Sequence, residues 1–397
     1  MLERASSSWL SVLTAPSPRG PAPTGRDQRL DMFRGLALVM IFINHVPGTV
    51  YENFTNRNFG FSDAAEAFVF MSGMAAGLAY SSRFISGSIW LATAKVWARA
   101  RQLYFVHLTI TMLSLAIFAG AALWFDLPQV LARNNIPILF QKPLSGLIGL
   151  PLLTHQLGYL NILPLYITLL LATPLFLIIG LRRPMLLLIG SILLWMAAGQ
   201  FRLNLPNFPT RGGWFFDPFS WQILFVVGLL CGSAMKQGRT FVPYNRVLFW
   251  AAAAFTAFIL AWVKVDALAS VGRDALSWLQ RHGVPFYFTA FDKTYLTLPR
   301  LSHALVLFYF MASLGFVRTF ADSKYAEPLK LMGRQGLPIF ASGTVLSMLG
   351  QAIKTPRHAD PLFDGLMFAI GLGLMVALAW ALDRTGKLKS AKPVVTP

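Results

Sequence analysis

The sequence has 397 residues, of which 55% are apolar and only 13% are charged, and its formal net charge is +18. Soluble domains carry about 25% charged residues, so this composition excludes a soluble globular protein and indicates an integral membrane protein. The positive charge fits the enrichment of Lys and Arg in cytoplasmic loops, and no soluble basic domain is present that would bind nucleic acid.

The first 25 residues are rich in Ser, Pro and Arg. They lack the apolar core and the small-residue cleavage site of a signal peptide. We therefore predict a disordered cytoplasmic tail at 1–25, a membrane bundle at 26–385 and a basic cytoplasmic tail at 386–397.

Apolar runs of about the length that spans a bilayer recur along the chain and predict an all-α fold, a polytopic bundle of ten transmembrane helices. The predicted spans are 32–50, 63–82, 103–124, 159–181, 184–200, 219–235, 247–265, 301–320, 337–353 and 362–382. The distribution of Lys and Arg predicts that both termini are cytoplasmic.

Two further stretches are not assigned as spans. Residues 144–158 are apolar but interrupted by Pro151 and His155, and form either a re-entrant piece or an early start of the fourth span. Residues 266–300 are amphipathic, which predicts a helix at the membrane interface.

The first span carries Arg34 and His45, eleven residues apart. Eleven residues make three turns plus about 20°, so both side chains share a face, about 16 Å apart along the axis. This places Arg34 near the inner surface and His45 inside the span, toward the outer side. Ionisable groups at membrane depth usually serve function, although such a histidine also fits a purely structural role.

The second span begins with Asp63 and Glu66. A carboxylate beside His45 would orient the imidazole and raise its basicity, which suits a general base. Alternatively, Asp63 caps the second helix. The small residues from Ser72 to Gly77 predict a close approach between the first two helices.

The segments RDQRLDMFRG, NHVPG and FSDAAEAFVFMSGMAAG resemble the OpgC family, within the wider group of membrane acyltransferases that includes the acyltransferase-3 enzymes. Arg34 and His45 match the Arg-x10-His signature of that group, whose histidine is taken as catalytic. HQLGYLNILPLYI, FDKTYLTLPRLSHAL and MGRQGLPIFASGTVLS extend the resemblance over nearly the whole chain beyond residue 25.

The resemblance implies a bundle of about ten helices in the bacterial inner membrane. It also implies transfer of a succinyl group from cytoplasmic acyl-CoA, succinyl-CoA in particular, to a periplasmic glucan. The acyl-CoA is a substrate, and no bound cofactor is expected. Direct transfer and an acyl-histidine intermediate remain alternatives.

Donor phosphates require cations at the cytoplasmic face. The candidates are Arg26, Arg29, Arg34 and Arg334, of which Arg34 is preferred because it shares a face with His45. For most of them, ordinary positive-inside topology is the competing interpretation.

A glucan acceptor requires aromatic and hydrogen-bonding groups on the outer side. The candidates are Tyr159, Asn161, Trp221, Asp292, Arg300 and His303. For Trp221, and for the nearby Trp214, the competing interpretation is a place in the aromatic belt at the membrane interface. Arg300 and His303 either line the acceptor site or hold Asp292 in a structural pair.

Two other functions compete with this interpretation. One is O-acetyl transfer to another envelope carbohydrate, and the other is a transporter or flippase in which His45 and Glu66 relay protons. The six histidines are scattered without metal-ligand spacing, so no metal site is predicted.

Overall fold

The computed structural model describes residues 27–356 and 360–390, without the side chains of residues 389 and 390. The part of the chain it describes is helical, as predicted, and contains no β-strand beyond an isolated bridge between Pro206 and Gly213. The predictions for residues 1–25, for Arg26 and for residues 391–397 lie outside the described residues.

The α-helices are listed here with the labels used below. They are α1 Gln28–Asn44, α2 Ala64–Ser86, α3 Ile89–Trp124, α4 Pro137–Gln141, α5 Pro143–Gly149, α6 Ile162–Arg182, α7 Pro184–Phe201, α8 Pro218–Lys236, α9 Arg246–Lys264, α10 Asp266–Arg281, α11 Phe286–Thr289, α12 Leu298–Ser313, α13 Gly315–Asp322, α14 Glu327–Arg334, α15 Gly336–Lys354 and α16 Pro361–Ser390. Short 3-10 turns occupy Val50–Phe54, Asn56–Asn58, Pro128–Ala132 and Lys324–Ala326.

Every predicted span falls on a helix, but fewer helices than ten meet the requirements for crossing a membrane. Among the described residues, seven helices are long and apolar enough, or eight if α12 and α13, bent by 69°, form one broken span. Neither α1, with 17 residues, nor α2 is among them. The seven or eight helices that qualify indicate a multi-pass membrane protein. The count of ten spans and the orientation of the termini remain predictions.

The two unassigned stretches are now defined. Helix α5 is followed by turns, and α6 begins only at Ile162, so 144–158 is not an early start of the fourth span. Within 266–300, α10 is a helix with exposed Val271 and Trp278; its place at the membrane interface remains a prediction. At the other end of the chain, residues 386–390, predicted as tail, continue α16.

The chain forms two compact units. One comprises the described parts of Met1–Thr55 and Met311–Pro397 and is called the terminal unit. The other comprises Asn56–Phe310 and is called the central unit.

The central unit is built around α2 and α8, which cross with their backbones in contact. A Cβ atom on Gly73 of α2 would collide with the carbonyl oxygen of Phe225, and one on Gly228 of α8 would collide with that of Phe70. Small residues allow such close helix crossings in membrane proteins. Gly73 of α2 therefore packs against α8, and the predicted close approach of α2 to the first helix remains a prediction.

We expect Gly73→Ala to lower the melting temperature, because the added methyl group forces α2 and α8 apart. Overpacking of this kind costs about 1–3 kcal/mol. The measurement is thermal unfolding of the purified protein in detergent. Gly190→Ala on α7 is the matched control, since nothing lies within 4 Å of its added methyl group. Equal melting temperatures for the two variants would disprove the tight crossing.

The terminal unit has a similar crossing between α1 and α14. A Cβ atom on Gly35 would collide with the carbonyl oxygen of Leu329, and one on Gly333 would collide with that of Asp31. Farther along α1, the hydroxyl group of Ser347 on α15 donates to the carbonyl oxygen of Phe42, at 3.4 Å. These contacts fix the helix that carries Arg34 and His45.

Candidate functional site

Arg34 lies in the middle of α1, a helix capped by the Asp27 carboxylate, which accepts the N–H of Arg29 at 3.0 Å. Its Nη1 atom donates to the carbonyl oxygen of Gly333, at 3.0 Å, and lies 3.4 Å from Oδ1 of the buried Asp31. The carbonyl belongs to the last turn of α14, where a cation is favoured by the helix dipole. The guanidinium is thus fixed within the terminal unit, with 18% of its side chain exposed.

His45 forms the C-cap of α1, so this helix ends before residue 50, where the predicted span ends. The predicted depth of His45 in the membrane remains a prediction. The N–H of His45 donates to the carbonyl oxygen of Ile41, at 3.0 Å, and the helix ends at Asn44. Pro47 explains the early end, because a proline disfavours helical geometry at the preceding residue.

A second residue holds this helix end. Nε2 of Gln351 on α15 donates to the carbonyl oxygen of His45, at 2.6 Å. Gln351 is not among the site residues predicted from the sequence. A polar amide within the apolar run 337–353 was the available signal.

The other cations predicted to bind the donor are also in the terminal unit. Arg29 pairs with Asp27 at 2.9 Å and donates to the carbonyl oxygen of Ala312. Arg334 pairs with Glu327 at 3.1 Å. Arg26 lies outside the described residues. The structure thus brings Arg29, Arg34 and Arg334 into one unit, each already beside a carboxylate.

Asp63 and Glu66 begin α2 in the central unit and form a reciprocal cap. The Asp63 carboxylate accepts the N–H of Ala65, and Glu66 Oε2 accepts the N–H of Asp63, both at 2.8 Å. The alternative interpretation of Asp63 as a helix cap is therefore confirmed.

Two cations complete this group: Lys293, which precedes α12, and Arg300, which lies in its first turn. The group of Asp63, Glu66, Lys293 and Arg300 is called the carboxylate cluster. Arg300 donates to Oε1 of Glu66 at 2.9 and 2.5 Å and to Oδ2 of Asp63 at 3.3 Å. Lys293 donates to the same Asp63 oxygen. All four carboxylate oxygens thus accept hydrogen bonds within the central unit, while the predicted orientation of His45 by these carboxylates remains a prediction.

The proposed pairing of Arg300 or His303 with Asp292 is wrong. Asp292 Oδ1 instead accepts the N–H of Tyr295, at 2.9 Å. His303 is buried, and its Nδ1 atom lies 2.8 Å from the hydroxyl oxygen of Ser62 and accepts the N–H of Ser62. This histidine fixes the loop that leads into α2.

Among the aromatic candidates, Trp221 is fully buried, and its indole N–H donates to the carbonyl oxygen of Lys293, at 2.9 Å. This burial favours a packing role over contact with a sugar. Tyr159 has a left-handed backbone, with φ of 68°, in the turn before α6.

Asn161 lines a polar cavity of about 380 Å³ in the central unit. His155, Trp214 and Tyr295 are among the other lining residues. Burial lowers the pKa of His155, although a hydrogen bond with the backbone of Asn135 partly opposes this effect. The imidazole of His155 is therefore neutral near pH 7.

Among the described residues, no group of three His, Cys, Asp or Glu side chains is arranged to hold a metal ion. The terminal unit thus holds Arg29, Arg34 and Arg334, side chains that can bind anions, and the central unit holds a polar cavity.

A family model described as OpgC protein matches residues 26–387. This range includes the central unit, most of the described part of the terminal unit and every candidate residue described above. No curated protein and no solved structure matches the chain.

Proposed function

Because the chain belongs to the OpgC family, we propose that it transfers a succinyl group from acyl-CoA to a hydroxyl group of a periplasmic glucan. The family implies an acyltransferase-type activity in glucan modification. The succinyl group, the CoA donor, the glucan acceptor and the bacterial inner membrane are the specific parts of our proposal. The family match over 26–387 is the observation that carries it.

In the proposed reaction, His45 acts as the general base. Its imidazole takes the proton of the glucan hydroxyl group while the hydroxyl oxygen attacks the thioester carbonyl carbon. The new C–O bond forms, the C–S bond breaks, and the proton passes to the sulfur of the leaving CoA. This role is supported by the Arg-x10-His match and by the contact between Gln351 and the His45 main chain, which fixes the end of α1.

In the same proposal, Arg34 binds the donor. Acyl-CoA carries phosphate groups, and a succinyl group adds a carboxylate; a guanidinium binds both with paired hydrogen bonds. Arg34 is supported in this role by its anchoring to Gly333, which holds it in place before substrate arrives. Arg29 and Arg334 would add positive charge to the same unit.

We expect Arg34→Lys to raise the KM for acyl-CoA about tenfold with a smaller change in kcat. Lysine keeps the charge but loses the planar fork, and loss of binding made equally in ground and transition states raises KM alone. The measurement is steady-state transfer in proteoliposomes. Arg83→Lys is the control, since Arg83 is exposed and its guanidinium donates to the carbonyl oxygen of Ala79 on its own helix. An equal KM for both variants would contradict donor binding by Arg34.

Mass spectrometry of periplasmic glucans from cells with and without the protein tests the function directly. Succinylated glucan should be present only with the protein. A succinyl group adds a carboxylate and an acetyl group does not, so mass and charge together distinguish the two. Unmodified glucan that accumulates on one side of the membrane when the protein is absent would instead support a transporter.

A further inference from the structure

The polar cavity of the central unit is formed by three segments that lie between helices. The first precedes α6 and contributes Asn135, His155 and Asn161; the second, between α7 and α8, contributes Trp214; the third contributes Tyr295. The predicted topology puts all three segments on the outer side of the membrane. The cavity has a volume of about 380 Å³, which is within the usual range of about 300–1,000 Å³ for small-molecule sites.

The lining is polar but uncharged. It consists of asparagine, threonine, glutamine, glycine, histidine and aromatic residues, and the described lining contains no Asp, Glu, Lys or Arg. A CoA phosphate or a free succinate would need a cationic partner when it is taken out of water. The cavity therefore suits a neutral ligand with many hydroxyl groups.

Three residues of the lining have a buried polar atom with no hydrogen-bond partner among the described residues: Trp214 at Nε1, His155 at Nε2 and Asn204 at Oδ1. Trp214 and His155 are almost fully buried, with 5% and 2% of each residue exposed. Leaving a buried donor or acceptor unpaired costs about 1–3 kcal/mol. An indole N–H can only donate, and a hydroxyl group both donates and accepts, so sugar hydroxyl groups would satisfy these atoms.

The wall that carries Trp214 is held in place by local hydrogen bonds. Nδ2 of Asn204 donates to the carbonyl oxygen of Trp214, at 2.9 Å, and Nδ2 of Asn207 donates to that of Gly213, at 2.6 Å. Gly213 also forms the isolated bridge with Pro206. A wall fixed before binding reduces the entropy cost of binding.

We propose that this cavity binds a neutral sugar residue of the glucan acceptor, with Trp214 and His155 as hydrogen-bonding partners. The identification of the sugar with the acceptor rests on the proposed function. Asn161 contributes a side-chain amide to the lining, and its Nδ2 atom donates to Oε1 of Gln156, at 3.0 Å, which orients the amide.

The test is calorimetric titration of the purified, detergent-solubilised protein with unacylated periplasmic glucan. Trp214→Phe keeps an aromatic ring but removes the indole N–H, so we expect the Kd for glucan to rise about tenfold. Trp195→Phe is the matched control, because this equally buried indole donates to the carbonyl oxygen of Leu296, at 2.9 Å, and does not line the cavity. Asn161→Ala provides a second cavity variant in case Trp214→Phe does not fold.

An unchanged Kd in both cavity variants, or an equal rise in Trp195→Phe, would overturn the proposal. If free glucose binds as tightly as glucan, the proposal is also wrong, because the cavity would then be a binding site for a free monosaccharide and not for the glucan acceptor. Binding of acyl-CoA should be unaffected by either cavity variant. If the cavity variants lose glucan binding but the wild-type protein transfers no acyl group, the cavity is a glucan site and the proposed reaction is wrong.

Discussion

His45→Ala is expected to lower acyl transfer by about 10²- to 10⁴-fold, the usual contribution of a general base. Unmodified glucan should still reach the periplasm in normal amounts. The hydrogen bond from Gln351 goes to the main-chain carbonyl oxygen of residue 45, so the substitution leaves this contact in place. A loss of activity would therefore report on the imidazole and not on the end of α1.

Mass spectrometry of the glucan, together with transfer rates in proteoliposomes, measures this effect. His282→Ala is the control, since His282 is exposed and its ring contacts the carbonyl oxygen of Trp278 on its own helix. Full acylation by His45→Ala would rule out His45 as the base. Incubation of the wild-type protein with acyl-CoA alone distinguishes direct transfer from an acyl-histidine intermediate. Only the second route leaves an acyl group on His45.

Arg300→Met is expected to cause the largest loss of stability, about 3–5 kcal/mol, because it removes the main partner of a buried carboxylate. The Glu66 side chain is 0% exposed, and both of its hydrogen bonds from a cation come from Arg300. Lys293 reaches Asp63 and would leave Glu66 uncompensated. Thermal unfolding in detergent measures the effect.

The double variant Arg300→Met with Glu66→Gln should recover part of the lost stability, because the buried charge is then absent. The difference between the double variant and the sum of the single variants gives the interaction energy of the pair. Arg273→Met is the control, an exposed arginine on α10 in the same predicted outer segment. If Arg300→Met melts at the same temperature as Arg273→Met, the carboxylate cluster does not stabilise the fold.

The positions of the predicted helices were largely correct because the length of an apolar run is a local property of the sequence. Helix ends were less accurate. Helix α3 begins at Ile89 and not at residue 103, because Lys95, Arg99 and Arg101 are good helix formers that interrupt hydropathy without interrupting the helix. Hydropathy reports apolar surface, and it does not report where hydrogen-bonded turns begin.

In the candidate site, contacts within one helix were predictable from the sequence, and contacts between distant segments were not. The Asp63–Glu66 cap was predictable because both residues lie within one helical turn. Their cationic partners, Lys293 and Arg300, are more than 200 residues away along the chain, and no periodicity in the sequence relates the two segments. The contact of Gln351 with His45 was not predictable for the same reason, since the two residues are 306 positions apart, although the amide itself stands out in an apolar run.

The crossing of α2 and α8 has a genetic consequence. At each glycine the opposing atom is a main-chain carbonyl oxygen, as at Gly73 against Phe225 and Gly228 against Phe70. No substitution can shrink a main-chain atom, so second-site suppressors of an enlarged residue cannot arise directly opposite it. Revertants of Gly73→Ala should therefore restore glycine itself or alter the helices at a distance, and suppressor selection would recover no change at Phe225.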